Sequence, residues 1–155
     1  MRLGTLAATA VGLTGLLTMN AVASEKTLKK SDLPAAVQKT ADEQSKDAVI
    51  RGYSSEVEGG PLQYEVAMTV AGHTREVSIA PDGRLLEIEE EIAWDALPAS
   101  VRQGLERAAG GGKVAKVESL TKQGKLVAYE AEVVKGGKRS EVQVGPEGKP
   151  LAHEE

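Results

Sequence analysis

Leu62-Gln63-Tyr64-Glu65-Val66-Ala67-Met68-Thr69-Val70 alternates without a break, with large apolar side chains at even positions and polar or small ones between them. Successive side chains of a strand point to opposite faces, so a period of two predicts a strand with one buried and one wet face. Residues 127–133 follow the same rule, setting Val127, Tyr129, Ala131 and Val133 against Ala128, Glu130 and Glu132. Turn signals flank both runs. Gly72 and Gly136-Gly137 predict hairpins into strands over 74–80 and 138–145, with Val77, Ile79, Val142 and Val144 inward. Pro81-Asp82-Gly83 and Pro146-Glu147-Gly148 predict turns, where proline presets φ and glycine supplies a positive one. Residues 48–58 and 113–121 predict the strands that come first, while Leu86, Ile88 and Leu151 mark the last ones.

Working back from these strands, Leu33-Pro34-Ala35-Ala36-Val37 and Leu97-Pro98-Ala99-Ser100-Val101 predict helices with proline in the first turn, where its missing N–H costs nothing. Ser31 or Asp32 is the expected cap of the first helix and Asp95 of the second. The landmarks recur at an offset of 64 residues at the Leu-Pro pair and 65 at Tyr-Glu and the turn glycine. The expectation is an α+β fold of two tandem repeats, 33–92 and 97–155, joined by residues 93–96. Each would be one helix followed by an antiparallel meander of about four strands, the helices packed on one face of the sheet. Trp94 is expected as an apolar wedge at the junction.

Met1-Arg2, the apolar stretch from Leu3 to Met19 and the small residues Ala21 and Ala23 form a secretory signal pattern over 1–23, followed by a polar linker over 24–32. The expected location is periplasmic or extracellular, with a mature N-terminus at Ser24 and no membrane insertion after cleavage. A formal net charge of −4 and four aromatic residues argue against nucleic acid, which needs a basic stripe or a stacking platform.

Chemistry is hard to find. With no cysteine there is no disulfide, no thiol nucleophile and no thiolate metal site. His73 and His153 fall in a turn and a tail, and no nucleophile has a positioned base beside it. Gly110-Gly111-Gly112 ends a helix, whereas a phosphate-binding loop opens one. Glu87-Ile88-Glu89-Glu90-Glu91 invites a calcium reading, but a strand sends alternate residues to opposite faces, and a solvated strand end is the better account. No catalytic residue, no metal ligand and no cofactor is expected.

The Leu-Pro-x-x-Val helix start, the Tyr64-Glu65-Val66 strand, the glycine hairpin and Pro81-Asp82-Gly83-Arg84-Leu85-Leu86 together resemble the PepSY family. The tandem form is most similar to the β-lactamase-inhibitor-like, PepSY-like proteins. The resemblance covers residues 33–155 and implies an exported module, of which some restrain peptidases and others bind enzymes across a concave sheet face. This chain lacks the cysteines and aromatic-rich surface of those inhibitors, so no binding residue carries over.

The alternation itself supplies a candidate surface. Opposite the helices stand Glu65, Thr69, Glu76 and Ser78 from the first half, and Glu130, Glu132, Arg139, Glu141 and Gln143 from the second. Residues 33–92 hold 5 basic and 12 acidic side chains, and residues 97–155 hold 10 and 8. The expected function is a non-catalytic binding module that docks or inhibits a protein or peptide partner, an envelope or secreted peptidase among the candidates. Glu65, Thr69, Glu76, Glu130, Glu132, Arg139 and Glu141 are its expected contacts. The alternative is a periplasmic small-ligand or metal-responsive sensor, which a closed apolar pocket would favour.

Overall fold

The structure, a computed structural model, describes residues 25–57, 60–153 and 155. The expected signal segment, 1–23, lies outside these residues. Eight strands and two helices follow in the order β1 (Lys26–Leu28), α1 (Ala35–Gln44), β2 (Val49–Glu56), β3 (Gln63–Val70), β4 (His73–Ile79), β5 (Leu85–Glu91), α2 (Ala99–Ala109), β6 (Lys113–Lys122), β7 (Lys125–Lys135) and β8 (Lys138–Val144). All eight strands join one antiparallel sheet, and their order in the sheet is their order in the chain.

This overturns the expected α+β arrangement of two helix-plus-meander repeats. The described residues form one continuous, mostly β sheet carrying two helices of 10 and 11 residues. Two physical facts separate expectation from outcome. A strand edge left bare at β5 would leave its N–H and C=O groups without partners, and β6 satisfies them directly, Glu87 to Glu91 pairing with Lys122 to Glu118. The second half also supplies only three strands, because β8 ends in a turn over 145–149, in which the Gly145 N–H bonds to the Lys149 carbonyl at 2.8 Å, and Leu151 beyond it lies in no strand. At the other end, three residues of the polar segment ahead of α1 add β1.

The helix starts differ from expectation as well. Pro34 and Pro98 themselves occupy the N-cap positions at extended geometry, φ −55° and −56°. Ser31, Asp32 and Asp95 instead belong to single 3₁₀ turns, Lys30–Asp32 and Trp94–Ala96, that deliver the chain to each proline. α2 stops where Gly110 turns left-handed at φ +55°.

Both helices lie on the same face of the sheet, over separate apolar clusters. Leu33, Val37 and Ala41 pack with Val66, Met68, Val77 and Ile79 under α1. Under α2, Leu97, Val101 and Leu105 pack with Val117, Tyr129, Ala131, Val133 and Val144. Each fully buried Val or Leu contributes about 1.5–3 kcal/mol, which is what ties a helix of low intrinsic length to its sheet. Two turn glycines bring the backbones into near contact. A Cβ on Gly83 would stand 2.8 Å from the Ala36 carbonyl oxygen, and one on Gly148 only 2.0 Å from that of Ser100.

Candidate functional site

The face of the sheet opposite the helices carries the unusual chemistry. Strand registers place its side chains in rows across the sheet. One row runs Ser54, Glu65, Ser78, Glu87, Lys122, and the next runs Ala67, Glu76, Glu89, Leu120, Ala128. A third runs Glu91, Glu118, Glu130, Gln143, and a fourth Lys116, Glu132, Glu141. Carboxylates therefore stand directly opposite one another at Glu76–Glu89, Glu91–Glu118, Glu118–Glu130 and Glu132–Glu141. Directly opposed side chains have Cβ atoms about 4.5–5.5 Å apart, and like charges at that distance destabilise a sheet.

The floor of this face explains why the charges are costly. Leu120 and Ala128 are buried at its centre, beside Glu89. Burial there, with the charges of Glu118, Glu87, Glu76 and Glu130 around it, pushes the Glu89 carboxyl up to about 8. Glu65 rises to about 7, mainly through desolvation, although a 2.8 Å hydrogen bond from the Ser54 hydroxyl works the other way. Desolvation also raises Glu76 and Glu130, with Glu118 adding repulsion at the first, and Glu141 and Glu118 at the second. Partial neutralisation comes from Lys116, which reaches Glu118 at 2.5 Å, and from Lys122, 3.5 Å from Glu87.

All seven residues singled out by alternation stand on this face, but they form no single constellation. Glu65 on β3 and Glu130 on β7 are four strands apart, about 19 Å at about 4.8 Å per strand. Thr69 accepts a 2.8 Å hydrogen bond from Arg51 Nε toward the β2 side. Glu130 accepts one from Gln143 Nε2 at 2.7 Å. Arg139 and Glu141 sit at the far edge on β8, where Arg139 pairs with Glu132. The middle of the face belongs to residues the alternation did not reveal, namely Glu87, Glu89, Glu91, Lys116, Glu118 and Lys122 of β5 and β6. The signal was present in part: Glu87, Glu89 and Glu91 share one phase of a strand.

Where β5 leaves the sheet, an open cleft of about 330 Å³ is lined by residues of both faces, among them Glu91 and Lys116 from the open face and Ile92, Trp94 and Val114. Trp94 is partly buried there and packs against the second cluster, the one under α2. Among the described residues no group of three or more His, Cys, Asp or Glu side chains is placed to hold a metal ion. No helix among them is long and apolar enough to cross a membrane.

Among the described residues, a single antiparallel sheet with two helices on one face and a carboxylate-rich polar platform on the other makes a two-layer, mostly β architecture. No family model matches the sequence, and no curated protein matches it. Solved structures do. A protein from Bacteroides eggerthii assigned to the periplasm superposes with a TM-score of 0.64 at 18% identity, over 77% of this chain and 86% of that one. A BLIP-like protein from Bacteroides fragilis superposes with a TM-score of 0.57 at 19% identity, over 77% and 83%. These likenesses show the fold.

Proposed function

We propose that the chain is an exported, non-catalytic PepSY-like module that docks a basic protein or peptide segment across the open face of its sheet. The observation that carries this reading is the set of directly opposed carboxylates at Glu76–Glu89, Glu91–Glu118 and Glu118–Glu130. Each costs stability in the isolated chain, and a cationic partner laid along the rows converts that cost into attraction. The signal pattern over 1–23 supports export, as does the fold shared with a protein assigned to the periplasm. The PepSY landmarks and the fold shared with a BLIP-like protein support binding rather than chemistry.

The test uses a synthetic Lys/Arg-rich peptide and its Asp/Glu-rich counterpart, titrated calorimetrically at low and high salt. The basic peptide binds, weakens as salt rises and loses about tenfold or more in affinity with Glu130→Lys combined with Glu132→Lys. Glu106→Lys, on α2, is the control and leaves binding unchanged. Equal binding of both peptides, or equal loss in the control, would overturn the reading.

A further inference from the structure

The two ends of the sheet are closed unequally. Exposed strand edges invite pairing, and proteins blunt them by shortness, proline, bulges or charge. β1 is blunted by its length of three residues. β8 is seven residues long, contains no proline and pairs with β7 without a register shift, and among the described residues nothing pairs with its outer side. Residues 138 to 141 are all exposed.

The hairpin fixes which backbone groups face outward. Gly136 and Gly137, at φ +57° and +78°, form a two-residue turn closed by the Lys135–Lys138 pair. That closing pair exchanges both of its hydrogen bonds, and bonded pairs alternate along an antiparallel ladder. Residues 138, 140, 142 and 144 therefore direct their N–H and C=O groups at β7, while Arg139, Glu141 and Gln143 direct theirs at solvent. An antiparallel neighbour must meet β8 through those three residues.

Edge-to-edge pairing of two copies about a two-fold axis allows few registers. Centring on Glu141 sets two carboxylates against each other. Centring on Ser140 sets each Arg139 against the other copy's Glu141, so both outward residues gain an opposite charge at once. We propose that β8 is a self-complementary edge through which two copies of the chain pair antiparallel about Ser140, Arg139 of each facing Glu141 of the other. The open acidic faces of the two copies then lie on the same side of one extended sheet.

Sedimentation velocity of the purified chain over a wide concentration range is the first measurement, and a concentration-dependent dimer is expected. Arg139→Glu and Glu141→Arg, made separately, each set like charges opposite each other in both pairs and weaken self-association by about tenfold or more. An equimolar mixture of the two variants restores four opposite charges in register and forms a heterodimer. Glu141→Pro removes only an outward N–H, so the fold survives by circular dichroism and the dimer is lost. Any of three results would overturn the proposal: a monomer at every concentration, a dimer indifferent to the single charge reversals, or open-ended polymers, which would mean that β8 pairs with β1 instead.

Discussion

Glu89 sets the behaviour of the molecule at the smallest scale. Its carboxyl, like that of Glu65, has a higher pKa folded than the ordinary value of 4.5, so the folded state holds more protons than the unfolded chain between about pH 4.5 and 8. The stabilisation is complete below 4.5 and is lost as pH climbs through 7 and 8. Thermal melts should therefore show a midpoint that rises as pH falls from about 8 to about 5, opposite to ordinary acid denaturation. Glu89→Gln should raise the midpoint near pH 8 by several degrees and flatten that slope, since about 1 kcal/mol is worth roughly 2–8 °C in a domain of this size. A second residue-scale test separates strain from crowding. Gly137 and Gly148 adopt nearly the same left-handed φ, +78° and +76°, but a Cβ meets nothing at the first and the Ser100 carbonyl at the second. Gly137→Ala should cost about 1–3 kcal/mol in urea titrations, and Gly148→Ala clearly more, because a backbone atom cannot step aside.

Elements were legible from the sequence where one face of a strand is buried and the other is wet. That condition holds for β3, β4, β7 and β8, and so Glu65, Glu76 and Glu130 could be assigned to the open face without coordinates. It fails for β5, where Glu90 interrupts the phase of Glu87, Glu89 and Glu91 by pointing to the helix side, opposite Arg75. It is weak for β6, where a register shift between Val114 and Lys116 breaks the count ahead of Glu118. β1 is too short to show any period. The β5–β6 pairing joins residues from either side of a helix, and no local pattern announces it. Helix α2 offers the matching energetic test. Leu105 is wholly buried between α2 and the sheet, and Leu105→Ala should cost about 2–5 kcal/mol in chemical denaturation.

For the whole molecule, two apolar clusters under one sheet pose a question of cooperativity. The clusters under α1 and α2 have no buried residue in common, and the paired residues of β5 and β6 span the boundary between them. Native-state hydrogen exchange on Leu105→Ala should show amide protection falling first in β6, β7 and β8, with β3 and β4 holding longer. Uniform loss across all strands would mean that the ladder alone makes the two halves one cooperative unit.

The succession β1 to β8, identical in space and in chain, has a consequence for how the protein is made. Each strand finds its partner in the segment just before it, apart from the interruptions at α1 and α2, so nearly every pairing closes a short loop. A polypeptide threaded out of a narrow pore, N-terminus leading, can lay down one strand at a time on a growing ribbon. No early segment has to wait, sticky and unpaired, for a complement still on the far side. Folding can thus keep pace with emergence, and β8, the last of the eight described strands, is also the one left holding the open edge.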